Sequence, residues 1–263
     1  MTILEKIIAY KKKEVSRRKT LFPASYWEKA PLFESATISL SKALQNSTSG
    51  IIAEHKRRSP SKPIINQDIP IENVVLGYEQ AGVCGMSILT DNHFFGGSLE
   101  DLTAARALSQ KPLLRKDFIV DEYQLLEAKA HGADVILLIA ACLSRPEIET
   151  LSKAAQKLGL EVLLEVHNEE ELKKALMPSL NLLGVNNRNL KTFEVSLDNS
   201  MHLANKIPSD FVKISESGIS HITAIRNLQE AGYQGFLMGE HFMQTQDPGT
   251  AAAALIKNIA SWN

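Results

Sequence analysis

Eight short apolar runs rich in β-branched residues recur along this 263-residue chain, near 51–54, 83–89, 112–115, 134–139, 160–164, 182–186, 211–214 and 235–238. No other feature limits the fold so tightly. Helix-like segments lie between them, among them IENVVLGYEQAG, DEYQLLEAKAHG and RPEIETLSKAAQKLG. Alternating strand and helix implies parallel strands, because a parallel pair needs a crossover long enough to hold a helix. Gly82, Gly132, Gly159 and Gly232 stand where those helices would stop. Eight such units in about 210 residues fit an α/β fold closed into a (β/α)8 TIM barrel. The alternative is an open doubly wound sheet, which usually carries a glycine-rich turn after an early strand; no GxGxxG or P-loop pattern is present. The expected organisation is a single domain, 1–263, with an N-terminal helical extension over 1–48 and the barrel over 49–263.

Barrel enzymes place their working residues at the C-terminal ends of the strands. Those ends are rich in polar residues here: Glu54 and Lys56, then Arg115-Lys116-Asp117, Glu165, Asn186-Asn187-Arg188, Ser215-Glu216-Ser217-Gly218 and Gly239-Glu240. Strand neighbours two apart share a face, about 6.6 Å from one another. Glu54 and Lys56 therefore emerge together from a buried run, a costly placement unless they meet each other or a charged ligand. His55 points the other way, toward the helices, and reads as a hydrogen-bonded second-layer residue. Lys116 is the inward candidate on its strand, and Asp117 a loop cap. Glu161 shares a face with Glu165 but lies at the strand's start, the end that serves stability. Ser217-Gly218 and Gly239-Glu240 look like an anion cradle, beside which Lys56 would add a positive charge once the barrel closes.

Residues 2–19 read as a helix with Leu4, Ile7, Ile8 and Val15 on one stripe and the basic runs Lys11–Lys13 and Arg17–Lys19 on a solvated face. The formal net charge of −1 argues against a broad grip on nucleic acid or an anionic membrane. No apolar run approaches the roughly 20 residues of a membrane span, and the N-terminus lacks a signal peptide's long apolar segment. Cys84 and Cys142 read as buried free thiols in a reducing compartment, and the expected location is the cytoplasm. The seven histidines form no metal-binding pattern, so no metal is expected.

The stretches IIAEHKRRSPSK, SILTDNHFFGGSLEDL, PLLRKDFIVDEYQLLEA, LLEVH, LLGVNNRNLKTF and KISESGI, in this order, resemble the indole-3-glycerol-phosphate synthase family of tryptophan biosynthesis. The resemblance implies a carboxy-lyase, a carbon–carbon lyase without cofactor or metal. It implies ring closure of 1-(2-carboxyphenylamino)-1-deoxyribulose 5-phosphate, with loss of carbon dioxide and water. The expected partner is this small molecule, with the chain a monomer that engages neither nucleic acid nor membrane. By family position, Lys116 is the general acid and Glu165 the general base. Lys56 is a second acid or anion holder, and Glu54, Asn186 and Arg188 orient the reacting groups. Lys56, Ser59, Ser217, Gly218, Gly239 and Glu240 would hold the phosphate end of the substrate. Pro60, Phe95, Phe118, Leu137 and Leu190 would form the apolar wall. Three positions depart from the family's usual pattern: Pro63 in the loop after SPSK, His55, and His241 beside the cradle.

Overall fold

The computed structural model describes residues 1–190 and 192–261. Eight parallel strands close into a barrel in chain order: β1 Ile51–His55, β2 Gly85–Leu89, β3 Leu113–Lys116, β4 Val135–Ile139, β5 Glu161–Val166, β6 Leu182–Asn186, β7 Val212–Glu216 and β8 Gly235–Met238. The seam pairs Ile51 with Phe236 and Ala53 with Met238. Helices follow the strands, and the four glycines expected to stop them have φ between 73° and 91°.

Strand parity divides the core in two. Ile52, Leu114, Leu137, Leu163, Leu182, Ile214 and Leu237 fill the barrel, while their neighbours Ile51, Ala53, Leu113, Ile136, Leu164 and Leu183 pack outward among the helices. A short helix, Leu40–Gln45, plugs the N-terminal end of the barrel with Leu40 and Leu44. The sequence places that region in the N-terminal extension without marking a helix there, because six residues are too few to establish a period. Glu161 fixes the plug: its carboxylate accepts from Ser39 and Ser41 hydroxyls and from the Leu40 and Ser41 backbone N–H groups, at 2.6–3.0 Å.

The N-terminal helix, Ile3–Leu21, begins with a Thr2–Glu5 capping box. Its basic face is not simply solvated. Lys12, Lys13 and Arg17 are not buried, but Lys11 is, and it pairs with Asp91 (2.9 Å), Asp117 (3.0 Å) and Glu14 (3.0 Å). Position 11 lies one turn from both Ile7 and Val15, so the stripe that carries those residues into the core carries the lysine too. Arg18 reaches Glu127 at 2.9 Å and Lys19 reaches Asp121 at 2.6 Å. Arg115, pointing outward from β3, ties Asp117 to Glu127 at 3.0 and 3.2 Å. Cys84 is buried, Cys142 is half-buried, and both are free.

His55 lies on the outer face as expected, 1 % exposed, but neither ring nitrogen has a hydrogen-bond partner. Burial, with the Arg57 guanidinium nearby, pushes its pKa down from 6.5 to about 4. The unfolded chain therefore binds a proton here before the folded one does. Stability is fully present above pH 6.5 and falls as pH drops from 6.5 toward 4, by up to roughly 3 kcal/mol at 1.36 kcal/mol per pH unit. His55→Leu should flatten this limb in urea melts taken between pH 7 and pH 4. An unchanged pH slope in the variant would remove His55 as its source.

Candidate active site

Lys116 ends β3 two residues after Leu114, a residue of the barrel interior, and so faces inward. Its Nζ donates to Glu165 Oε2 at 3.1 Å and to Glu216 Oε2 at 2.6 Å. Glu165 follows Leu163 on β5, and Glu216 follows Ile214 on β7, by the same parity. Glu216 is not among the residues given a role from sequence. Its signal was the alternation Val212, Ile214, Glu216, which carries two interior residues directly into a carboxylate. Gly184 leaves room for it: a Cβ on this inward position of β6 would overlap Glu216 Oε1 and press on Leu163.

Glu54 and Lys56 meet each other, Lys56 Nζ donating to Glu54 Oε1 at 2.9 Å, while Ser87 Oγ donates to Glu54 Oε2 at 3.1 Å. Asn186 lies beside Glu165 and helps hold its pKa down, and its Oδ1 accepts the Arg188 backbone N–H at 2.9 Å. The Arg188 guanidinium lies 3.9 Å from Glu240, whose other oxygen accepts from Lys62 at 3.0 Å. The Glu240 carboxylate is thus committed to cations, and what it can offer an anion is its backbone N–H. Lys62 sits in the loop that carries Ser59, Pro60 and Pro63. That loop folds back on itself through reciprocal Ser59–Lys62 backbone bonds of 2.8 and 3.0 Å.

Asn187 points away from the mouth. Its Nδ2 donates to Ser215 Oγ and to the Ser217 carbonyl, and its Oδ1 accepts from Ser200 Oγ at 2.8 Å. This braces a turn in which Ser217 and Gly218 both adopt left-handed backbone, φ 69° and 76°. For serine that conformation stores strain of roughly 1–3 kcal/mol. Gly239 precedes the short helix Glu240–Met243 on the adjoining rim.

One cavity gathers most of these groups. It is lined by Glu54, Lys56, Ser59, Lys116, Glu165, Asn186, Arg188, Glu216, Ser217, Gly218, Gly239 and Glu240 on its polar side. Pro60, Phe95, Phe118, Leu137 and Leu190 form the apolar side, with the Phe95 and Phe118 rings 5.8 Å apart. Ile3, Leu4 and Ile7 of the N-terminal helix extend that wall, and the exposed His241 stands at the rim. Among the described residues, no group of three or more His, Cys, Asp or Glu is arranged to hold a metal ion, and no helix is long and apolar enough to cross a membrane.

The charges set one another. Burial opposes the Lys116 ammonium, but the Glu216, Glu165 and Glu54 carboxylates outweigh it and hold its pKa well above 10.5. Burial likewise opposes the Glu165 carboxylate, yet Lys116 and His167 keep its pKa below the ordinary 4.5. Glu54 is held low in the same way, by Lys56 and Lys116. Glu216 goes up to about 7, because burial and the neighbouring Glu165 charge exceed what Lys116 returns. Carboxylates with opposed shifts around one lysine are a signature of acid–base chemistry.

The indole-3-glycerol phosphate synthase family model matches residues 4–255. The chain is 47 % identical to the indole-3-glycerol phosphate synthase of Bacteroides thetaiotaomicron over 98 % of each protein. It is 43 % identical to that of a Polaromonas species, over 96 % of this chain and 97 % of the relative. The figure for Campylobacter jejuni subsp. doylei is 41 %, over 97 % and 100 %. Among solved structures, a thiamine phosphate pyrophosphorylase from Pyrococcus furiosus superposes with a TM-score of 0.59 at 17 % identity, over 81 % of this chain and 96 % of the other. KGPDC from Streptococcus mutans gives a TM-score of 0.59 at 15 % identity, over 73 % and 92 %. These two share the fold.

Proposed function

This chain belongs to the indole-3-glycerol phosphate synthase family and carries its carboxy-lyase activity in tryptophan biosynthesis; we propose that Lys116 is the general acid and Glu165 the general base of the ring closure. The observation that carries the assignment is the Lys116 ammonium, held between the Glu165 and Glu216 carboxylates at the mouth of a cavity with one polar and one apolar wall.

The substrate, 1-(2-carboxyphenylamino)-1-deoxyribulose 5-phosphate, has a flat aromatic end, a ketone and a phosphate. The apolar wall takes the aromatic end, which brings the ring carbon bearing the carboxylate onto the ketone. Lys116 hydrogen-bonds the ketone oxygen. A lysine with its pKa held so high is a weak acid. Its service is to stabilise the alkoxide as negative charge develops, and the strongly basic alkoxide then takes the proton. Carbon–carbon bond formation is followed by loss of carbon dioxide. Glu165 then removes a proton from the methylene beside the nitrogen, and the hydroxyl leaves as water. Lys56 serves as a second acid, released from Glu54 as substrate enters. Glu54, Asn186 and Arg188 orient the acids and the sugar hydroxyls. Ser59, Ser217, Gly218, Gly239 and the backbone of Glu240 receive the phosphate, with Lys56 adding charge.

We also propose one domain acting as a monomer in the cytoplasm, without nucleic acid, metal or cofactor. Support comes from the net charge of −1 and from basic residues paired within the chain, Lys11, Arg18 and Lys19. Purified protein alone should convert the substrate to a fluorescent indole product, and Glu165→Gln should lower kcat at least 100-fold while the protein stays folded. A folded wild type without turnover overturns the activity. A variant with wild-type kcat overturns the role of Glu165.

A further inference from the structure

Glu165 has a second neighbour that the reaction scheme leaves unused. His167 follows it on the same face just past the end of β5, and its Nε2 lies 3.4 Å from Glu165 Oε1, the oxygen turned away from Lys116. Nε2 is buried and has no hydrogen-bond partner. The other ring nitrogen, Nδ1, is 3.3 Å from Glu171 Oε2, which also accepts the His167 backbone N–H at 2.8 Å. Asn168 fixes Glu171 in turn, its Nδ2 donating to Glu171 Oε1 at 3.0 Å. Side-chain exposure rises along this row from 5 % at Glu165 to 10 % at His167 and 17 % at Glu171. The row therefore leads from the reacting carboxylate to solvent.

The stoichiometry of the reaction demands such a route. Water departs with the ketone oxygen and two protons. The methylene beside the nitrogen loses one proton as the indole forms. The substrate carboxylate leaves as carbon dioxide and supplies none, its bonding pair staying with the ring. The second proton must therefore enter from solvent in every turnover, into a cavity whose acid and base are nearly buried.

We propose that His167, braced by Glu171, is a positioning and proton-relay residue that orients Glu165 and delivers to it the proton each turnover draws from solvent. The inference rests on Glu165 being the base. In the charged ring both nitrogens carry hydrogen, one bonded to Glu171 and the other on the side of Glu165, 3.4 Å away. Transfer breaks the Nε2–H bond and forms an O–H bond on Glu165; the ring keeps the electron pair and becomes neutral, and Glu165 becomes a neutral acid. Glu165 passes the proton to Lys116, to which it is hydrogen-bonded, restoring the ammonium that gave its proton to the alkoxide, and solvent recharges the ring. The surrounding charges suit a charged imidazole. Burial disfavours it, but Glu171 on the following helix, Glu165 on β5 and Glu216 on β7 together raise the His167 pKa above 6.5.

The test is kinetic. His167→Ala should lower kcat roughly 100-fold, the lower end of what a positioned acid or base contributes, with KM changed less than about threefold. Added imidazole should restore kcat at least tenfold, and the solvent isotope effect on kcat should rise as proton delivery becomes limiting. Glu171→Gln, which preserves size, should give a smaller loss and a lowered pKa on the acid-side limb of the pH–rate profile. A thermal melt checks that each variant folds. A kcat within twofold of wild type from pH 6 to pH 9 overturns the relay. So does a loss that imidazole leaves untouched in a folded variant. Wild-type kcat in Glu165→Gln would instead bring down the base assignment, and the relay with it.

Discussion

Lys116→Met is expected to reduce kcat by about 10³- to 10⁴-fold, the combined loss of a positioned proton donor and of a cation aimed at a developing alkoxide. That corresponds to roughly 4–5.5 kcal/mol of barrier. The substitution also leaves Glu165, Glu216 and Glu54 facing one another without the ammonium that now offsets them. Like charges in a buried site raise one another's pKa. The variant's carboxyl groups then titrate above the unfolded value of about 4.3, so the folded variant binds more protons than its unfolded chain. Its stability is greatest below that value and declines as pH rises through the raised pKa values. The melting temperature of Lys116→Met should thus trail wild type more at pH 9 than at pH 6. A constant gap across that range would show that the three carboxylates do not depend on Lys116 for their charge, and near-wild-type kcat would remove the lysine from the reaction.

Lys11→Ala should produce the largest loss of stability, about 3–5 kcal/mol, because it strands the buried Asp91 and Asp117 carboxylates at 2.9 and 3.0 Å from where the ammonium stood. For a chain of this size that is a drop of roughly 10 °C in melting temperature. Asp117, held far below its ordinary 3.8 despite burial, chiefly by Lys11 and then by Arg115, gives the pH signature. Its contribution is complete above pH 3.8 and is lost as pH falls toward its folded value, so the gap between variant and wild type should narrow under acid. Activity should suffer in a particular way. Asp91 caps the short helix Asn92–Phe95 by accepting from Phe94 and Phe95 N–H, and Asp117 accepts the Phe118 N–H at 2.8 Å. Phe95 and Phe118 of the cavity wall are therefore hung from carboxylates that Lys11 holds, and KM should rise more than kcat falls. A melt within 1 °C of wild type would mean that the clamp contributes little.

These two lysines mark how far the sequence could be read. Lys116 was legible because strand parity is local: Leu114 faces the interior, so the residue two positions on does too. The same rule put Glu54 with Lys56 and Glu165 with Leu163, and applied once more to Ile214 it would have given Glu216; Asn186 came from the family resemblance. Lys11 was not legible. A lysine on a helix stripe is usually solvated, and the partners that bury this one lie 80 and 106 positions along the chain, beyond any periodicity. His55 shows a different limit. Its outward direction followed from parity, but the want of a hydrogen-bond partner depends on which side chains the helices bring against it. The plug helix Leu40–Gln45 escaped for want of length, and was identifiable only through Glu161 reaching back to it.

The alternation of inward and outward residues has a consequence for how such a protein can change over evolutionary time. Glu54 beside His55, Lys116 beside Arg115, Asn186 beside Asn187 and Glu216 beside Ser215 are adjacent in sequence yet share no surroundings. One of each pair opens on the cavity, while the other is embedded in the frame. Substitutions at the first kind of position act directly on the cavity, and those at the second act on the barrel, reaching the cavity only where, as at Asn187, the frame braces a turn of the site. Heredity can thus explore new reactions and new tolerances along largely separate axes, interleaved residue by residue on the same eight strands.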